Sequence, residues 1–342
     1  MSKARELAEL GAAYDSGALS NRNVIVNGAM QVAQRGASFA SVGNVYTLDR
    51  FQFYKQNSGA AFTVTQSSLT DLAGFANALK VDCTTADTSL ASNEEGYIQH
   101  KIEGQDLQRF QKGHATALGF TLSFYVKTNK TGVYTVKIFD RDNSRDVSGS
   151  YTVADANWNR YTINFPADTT GKFDDDNASS LEIFFKLFAG SDTTGGTLNT
   201  TWRANSDSSA ASGQVNFADS TSNDWEITGV QLEVGSEATP FEHRSIGDEL
   251  ALCQRYFMSW NSSGLTDNIY LVTPYATGTP SNSSASAPFT FPVTMRANPT
   301  MAGTGLSLSR FTANTHNAVM QMGSTSAGNA YSLSAWTADA EL

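Results

Sequence analysis

One stretch of this sequence alternates apolar and polar residues four times in succession. In residues 120–127, every second residue from Phe120 to Val126 is apolar, and the residues between them are hydroxyl-bearing or charged. Successive side chains of a strand point to opposite faces, so a period of two predicts a strand with one buried face. A helix would place these apolar residues all around its axis, so the chain at this point is predicted to be β.

Other segments continue the β pattern. Residues 134–139 and 160–165 alternate in the same way, whereas residues 181–188 are apolar on both sides. Apolar residues on both sides are typical of a central strand that is covered on both faces. Residues 289–295 alternate again, but Pro292 restricts that strand to a sheet edge or a bulge. These segments together predict an antiparallel β-sandwich.

The segment at residues 224–234 carries a one-residue slip in its alternation. Trp225 lies on the apolar side before Gly229, and Val230 takes over that side after it. A slip with glycine at the pivot predicts a β-bulge. A second glycine and a Thr-Pro step end the segment. We therefore predict that it is the last strand of the sandwich and that a domain boundary follows.

The pattern divides the chain into three parts. Residues 1–20 carry a short helical pattern with Leu7 and Leu10 on one side. So short a helix is marginal in water, which favours docking on a partner, and fraying of the chain end is the alternative. Residues 21–245 hold the sandwich. Residues 246–342 begin with a connector helix and continue as a smaller C-terminal β-domain.

The charge of the chain excludes several classes of partner. Its formal net charge is -10, and Lys and Arg are not clustered anywhere. Nucleic-acid binding needs such clusters, so we predict no nucleic-acid partner. The sequence has no apolar run of about 18 residues, so no membrane insertion is predicted either. Charged residues make up only 16% of the chain, and Ser, Thr, Asn and Gly supply a neutral polar surface typical of virion and extracellular β-proteins.

The sequence lacks motifs that are specific for a reaction. It contains no nucleophile elbow, phosphate loop or dinucleotide fingerprint, and its four histidines lack metal-ligand spacing. We therefore predict no enzymatic activity and no cofactor. Asp174, Asp175 and Asp176 are a weak calcium candidate, since calcium takes clustered carboxylates, and a solvated loop is the favoured alternative. Cys83 and Cys253 are predicted to be buried thiols, with a bridge as the alternative.

Aromatic side chains in polar, loop-rich sequence are the candidates for contact with a glycan. Sugar rings stack on aromatic faces, and their hydroxyl groups bind amides and hydroxyls. The candidates are Trp202, Trp260, Tyr270, Tyr275 and Trp336. Burial in a core or between subunits is the favoured alternative for each of them.

Both ends of the predicted sandwich resemble a known family. Residues 21–36 read Asn-Arg-Asn-Val-Ile-Val-Asn-Gly-Ala-Met-Gln-Val-Ala-Gln-Arg-Gly, and Asp-Arg-Phe follows at residues 49–51. These stretches resemble the opening of phage tail-fibre and related virion fibre proteins. Residues 230–257 resemble the end of the same module, and residues 289–299 resemble the start of its trailing domain. The sequence after residue 301 departs from that family.

The resemblance implies a fold and a role. It implies that residues 21–244 form a jelly roll similar to a carbohydrate-binding module. The predicted fold class is therefore all-β: an antiparallel jelly-roll sandwich plus a smaller C-terminal β-domain, with a short N-terminal helix. The implied role is a non-enzymatic, homotrimeric tail fibre that adsorbs to a host-surface polysaccharide or lipopolysaccharide. Residues 1–20 would bind another virion protein.

The implied location is the virion tail, after assembly in the host cytoplasm. A head fibre or decoration protein of the virion is one alternative, and a glycan depolymerase is another. The motif residues that the resemblance identifies are structural. They are Asn27 and Gly28 in a turn, Asp49 and Arg50 as an ion pair, and Gln231 and Glu233 on the outer face of the last strand.

Overall fold

The structure is a computed structural model, and it describes only part of the chain. The described residues are Lys3, 21–261, 269–272, 285–304, 308–322, 330–333 and 335–342. Apart from Lys3, the predicted docking helix with Leu7 and Leu10 lies outside them, as do Tyr275 and the side chain of Tyr270. The chain divides into two compact units between Arg244 and Ser245.

The first unit is a sandwich of two antiparallel sheets. In chain order its strands are β1 (Ser38–Phe39), β2 (Val45–Tyr46), β3 (Phe51–Gln56), β4 (Ala61–Ser68), β5 (Asn77–Thr85), β6 (Glu95–Glu103), β7 (Phe120–Thr128), β8 (Gly132–Asp140), β9 (Arg145–Val153), β10 (Asn159–Phe165), β11 (Ser179–Ala189), β12 (Arg203–Ala204) and β13 (Asp224–Val234). The six-stranded sheet has the order β1-β4-β5-β13-β7-β10, and the seven-stranded sheet has the order β12-β9-β8-β11-β6-β3-β2.

The chain passes repeatedly from one sheet to the other, as from β5 to β6 and from β6 to β7. This connectivity, with antiparallel neighbours throughout the described ladders, is that of a jelly roll and confirms the predicted fold class. Short helices lie in the connections: the 3-10 helices Gly104–Asp106, Gln108–Phe110, Asp207–Ser209 and Phe217–Asp219, and the one-turn helix α1 (Ser191–Thr194).

The second unit combines one helix with short strands. Helix α2 (Ile246–Gln254) begins after Ser245, whose Oγ accepts a hydrogen bond from the backbone N of Asp248 at 3.2 Å. The strands are β14 (Phe257–Asn261), β15 (Ile269–Val272), β16 (Ala285–Thr290), β17 (Thr300–Thr304), β18 (Leu308–Ala313), β19 (Asn317–Met322), β20 (Ala330–Leu333) and β21 (Ala335–Asp339). They form the sheets β14-β21-β17, β15-β20 and β16-β19-β18.

Apolar side chains from both sheets of the first unit form one core. The ring of Phe124, on β7, lies edge-on to that of Phe185, on β11, with centroids 5.2 Å apart. Trp225 is fully buried, and its indole nitrogen donates a hydrogen bond to the hydroxyl of Tyr151 at 3.2 Å. The one polar atom of the largest side chain in this core is therefore hydrogen-bonded, as is usual for buried polar groups.

The predicted bulge in β13 is confirmed. Thr228 pairs with Tyr125 of β7, and the next paired residue of β13 is Gln231, so the register shifts between them. Gly229 has a φ of +62°, in the left-handed region that glycine adopts at low cost. The N-terminal segment joins β13 here, because the backbone N of Val230 donates to the carbonyl of Gly28 at 2.9 Å.

The segment after β13 folds back over the outer face of its sheet. Thr239 donates its backbone N–H to Glu233 at 2.9 Å, and Glu242 donates its own to Gln231 at 2.8 Å. Arg244 then donates to the carbonyl of Ile25 at 2.9 Å. Gln231 and Glu233 are thus covered and buried, with exposures of 0% and 2%. The contact of Arg244 with Ile25 connects this segment to the N-terminal part of the first unit.

The other motif residues are also buried. An added Cβ on Gly28 would lie 2.2 Å from the carbonyl oxygen of Val230, so the turn requires glycine. The carboxylate of Asp49 accepts hydrogen bonds from the side-chain and backbone nitrogens of Gln34 at 2.7 and 2.6 Å. Arg50 donates to the carbonyl of Lys101 at 2.6 Å. The Asp49–Arg50 ion pair stays a prediction.

A buried lysine lies in an oxygen-lined cage at one end of the first unit. The ammonium of Lys112 lies 2.6 Å from the carboxylate of Asp140 and 3.1 Å from that of Asp168. It also donates to the carbonyls of Thr170 and Gly171, at 2.8 and 2.9 Å. The lysine side chain is only 3% exposed. Because buried charges are costly unless paired, this cage connects loops from different strands.

Replacement of the pivot glycine tests the bulge. We expect Gly229→Ala to lower the free energy of unfolding by about 2 kcal/mol, since a side chain disfavours the left-handed region. The added Cβ would also lie 2.8 Å from the ring of Phe75. Urea unfolding measures the loss. Gly43→Ala is the control, because a Cβ there meets nothing within 4 Å. Equal stabilities of the two variants would contradict this account of the bulge.

A buried histidine gives the first unit a predictable pH dependence. His100 accepts or donates at 3.2 Å to the carbonyl of Val26 and lies edge-on to Phe51 at 5.0 Å. Burial, together with the nearby charge of Arg50, lowers the pKa of His100 to about 3. In the unfolded chain a histidine has a pKa of about 6.5. The unfolded state therefore binds one more proton between these values.

We expect this histidine to destabilise the protein as the pH falls below 6.5, by about 1.4 kcal/mol per pH unit. Between pH 7 and pH 5 the native protein should lose about 2 kcal/mol more than the His100→Gln variant, which keeps a donor but does not titrate. Urea unfolding at the two pH values measures both losses. An identical pH dependence for both proteins would refute the assignment.

Candidate functional site

A groove with a volume of about 350 Å³ lies on the outer face of the seven-stranded sheet. Strands β3, β6, β11 and β8 form its floor, and the loops before β2 and after β12 contribute to its walls. Its lining side chains are polar or aromatic. They are Asn44, Gln52, Tyr54, Glu95, Tyr97, Gln99, Lys101, Lys137, Phe139, Arg141, Glu182, Phe184, Lys186, Asn205 and Asp207.

Strand alternation separates this groove from the core. On β6, Tyr97 and Gln99 point outward into the groove, while the neighbouring Ile98 and His100 point inward and are fully or nearly fully buried. The register then aligns the outward residues of adjacent strands. Two such rows are Tyr54–Tyr97–Lys186 and Gln52–Gln99–Phe184–Lys137. The rows run across the strands, so residues distant in sequence become neighbours.

Aromatic rings form the apolar part of the groove floor. The rings of Tyr54 and Tyr97 are stacked with centroids 4.7 Å apart, and Phe184 meets Tyr97 edge-on at 4.9 Å. Tyr54, Phe139 and Phe184 are half-buried, so each presents part of its ring to solvent. Burial, followed by the charge of Glu95, raises the pKa of Tyr97 well above its usual range. Its hydroxyl group therefore stays protonated and able to donate a hydrogen bond.

Ion pairs orient the charged side chains of the groove. The ammonium of Lys186 donates to Glu95, and burial lowers the pKa of this lysine although the carboxylate opposes the effect. Arg141 donates to Glu182 at 3.0 Å, and Gln99 donates to the second oxygen of the same carboxylate at 2.8 Å. These charged groups are therefore held in fixed positions by partners within the protein.

A third pair connects the floor to the wall. Lys137 donates to Asn205 at 2.8 Å and to Asp207 at 2.5 Å. Although burial of Asp207 acts in the opposite direction, the hydrogen bond and charge of Lys137 lower the pKa of this carboxyl group. Both wall residues belong to the long Ser- and Gly-rich connection between β11 and β13. Part of that connection is thus built into the groove.

Two carboxylates of the groove, those of Glu95 and Glu182, lie too far apart to form the pair that glycoside cleavage needs. Glu182 pairs across the ladder with Lys101, which is six residues along β6 from Glu95. At about 3.3 Å per residue, the backbone positions of Glu95 and Glu182 are about 20 Å apart along the strands, whereas glycosidases hold their two carboxylates about 5–10 Å apart. Asp207 is held ionised by Lys137 and is thus a poor proton donor.

The tryptophans predicted to contact a glycan lie elsewhere. Trp202 packs over the ammonium of Lys112 at 5.1 Å and donates to the carbonyl of Pro166 at 2.8 Å. In the second unit, Trp336 is 1% exposed and belongs to the core, while Trp260 is 37% exposed. None of these three lines the groove. Tyr270 and Tyr275 lie outside the described side chains. Contact of these residues with a glycan stays a prediction.

The acidic run is an exposed loop. The backbone N of Asp174 donates to Asp142 at 3.0 Å, and Asp176 accepts from the backbone N of Ala178 at 2.9 Å. In the described part of the chain, no group of three or more His, Cys, Asp or Glu side chains is arranged to hold a metal ion.

Cys83 and Cys253 are buried thiols, as predicted. The described helices include none long and apolar enough to cross a membrane.

The prediction that residues 181–188 are covered on both faces is confirmed for the inner face and for Phe188, whereas Phe184 on the outer face is half-buried. The inner face of β11 packs in the core, but its outer face carries Glu182, Phe184 and Lys186, which line the groove. Sequence reasoning missed this site because it read Phe184 as buried under a second layer. The available signal was an aromatic residue between charged ones on the outward side of a strand.

Comparisons with known proteins give distant structural likeness. No family model and no curated protein matches the chain, whereas 66 chains of solved structures do. One is the family 11 carbohydrate-binding module of a Clostridium thermocellum cellulosomal cellulase. It is 13% identical in sequence, the match covers 60% of this chain and 100% of that chain, and the TM-score is 0.30.

Two further matches illustrate the range. The xylan-binding CBM22-1 domain from Paenibacillus barcinonensis has 11% identity, covers 59% of this chain and 94% of its own, and has a TM-score of 0.28. A cyclase from Fischerella sp. has 9% identity, covers 64% of this chain and 99% of its own, and has a TM-score of 0.34. At such identities and TM-scores, the likeness carries no argument about function.

Proposed function

We propose that this protein binds a glycan in the groove of the seven-stranded sheet and does not cleave it. The observation that carries the proposal is the combination of half-buried aromatic rings with fixed donors and acceptors on one open sheet face. Sugar rings present apolar C–H faces together with many hydroxyl groups, so they need both kinds of partner at once.

The spacing of the groove residues fits an extended ligand. The rows of side chains cross strands that lie about 4.8 Å apart. This distance is close to the length of one sugar unit, so a short oligosaccharide that crosses the strands would meet a new strand with each unit. The aromatic residues Tyr54, Tyr97 and Phe184 come from three successive strands of the sheet. Successive sugar units would therefore each find a ring or an amide.

The proposed biological setting is a bacteriophage virion. Its support is the resemblance of residues 21–36 and 230–257 to virion fibre proteins, together with the neutral polar surface. In this proposal the protein is a homotrimeric tail fibre that adsorbs the phage to a host-surface polysaccharide or lipopolysaccharide. Residues 1–20 attach it to another virion protein. The groove would be one site where the fibre meets its receptor.

Truncation of a groove aromatic tests glycan binding. A glycan array would first identify a ligand, and calorimetry would then give its affinity. We expect Phe184→Ala to weaken binding at least about tenfold, since stacking and packing on the ring are lost. Trp158→Ala is the control, because its half-buried indole contacts Asp71 at 3.0 Å on the other sheet. Equal affinities for the native protein and Phe184→Ala would exclude the groove as the site.

Three measurements test the virion proposal. Immunogold labelling of phage particles should place the protein on the tail, and the mass in solution at micromolar concentration should be that of a trimer. Labelling of the head would favour the decoration alternative instead. A monomeric mass would contradict the trimer, and release of reducing ends from host polysaccharide would contradict the non-enzymatic role.

A further inference from the structure

Most charges of the groove are compensated within the protein. Each of its three carboxylates has a cationic partner. The pairs are Lys186 with Glu95, Arg141 with Glu182, and Lys137 with Asp207. The ammonium of the fourth cation, Lys101, lies 5.8 Å above the ring of Tyr46. Three of the four cations of the groove are therefore paired with carboxylates, and Lys101 leaves the lining with one excess positive charge.

One member of each pair is buried, whereas Arg141 and Asp207 are 60% and 64% exposed, so breaking a pair leaves its buried member without a partner. The side chains of Lys186 and Glu182 are each 4% exposed, and that of Lys137 is 7% exposed. Separating such a pair leaves a buried charge without compensation. An acidic sugar that approached Lys137 or Lys186 would either have to take the ammonium from its carboxylate or lie beside that carboxylate. The second arrangement is repulsive, and the net charge of -10 adds to it at long range.

Hydroxyl groups meet no such obstacle. A hydroxyl group both donates and accepts, and it can bridge the two members of an ion pair without separating them. The amides of Asn44, Gln52, Gln99 and Asn205 likewise each carry a donor and an acceptor. We infer that the groove selects uncharged glycans over acidic ones, an inference that rests on the proposed glycan binding.

Matched oligosaccharides test this selectivity. The probes are galactose, glucose, xylose and mannose oligosaccharides, together with galacturonate and glucuronate oligosaccharides of equal length. We expect a neutral oligosaccharide to bind at least about tenfold more tightly than its acidic counterpart. Its affinity should change less than about twofold between about 20 mM and about 500 mM NaCl, since salt screens only charge–charge attraction.

The outcomes separate the two proposals. Tighter binding of an acidic oligosaccharide that weakens steeply with salt would overturn the selectivity and leave glycan binding intact. Binding of none of the probes at millimolar concentration would overturn the proposed function and this inference with it.

A charge-neutralising variant tests the cause of the selectivity. Glu95→Gln removes the anionic partner of Lys186, so affinity for the acidic oligosaccharide should rise at least about threefold and become salt-dependent. Glu237→Gln, an exposed residue in the segment after β13, is the matched control and should change neither affinity. Asp207→Asn supplies a second variant at an exposed wall residue. Unchanged selectivity in both groove variants would refute the role of the ion pairs.

Discussion

Strand β11 is hydrogen-bonded to β6 along one edge and to β8 along the other. The register of these two ladders determines which side chains face the groove and which face the core. With Phe184 opposite Gln99 on one side and Lys137 on the other, the groove side chains form rows. The same register turns Ile183 and Phe185 into the core. A slip of one residue would exchange the two faces, so the core and the groove are specified by the same backbone pairing.

The end of this strand shows how closely the two faces are coupled. The register between β11 and β6 shifts between Lys186 and Phe188, so that Leu187 and Phe188 are both buried although they are consecutive. An added Cβ on Gly96 would lie 2.2 Å from the ring of Phe188. Because Gly96 has no side chain, the ring of Phe188 packs in the core, although strict alternation would place it on the outer face. Lys186 is therefore the last residue of β11 that lines the groove.

Local patterns predicted much of the fold and little of the site. Alternation identified β7 and β10, and the slip at Gly229 identified the bulge, because both depend on neighbours along the chain. The groove depends instead on which strands pair, and it gathers residues from position 44 to position 207. No sequence period relates Tyr54 to Lys186. The polar sequence context of Trp202 makes it a candidate for glycan contact, and only the folded chain brings the buried ammonium of Lys112 under its ring.

The cage around Lys112 uses the ligand types of a calcium site, with two carboxylates and two carbonyl oxygens around one positive charge. Here the cation is covalently attached to the chain. Its local concentration is therefore independent of the medium, and a chelator cannot extract it. The loops that this charge holds together should keep their arrangement in calcium-poor and calcium-rich surroundings alike, which decouples this end of the sandwich from the ionic composition of its environment.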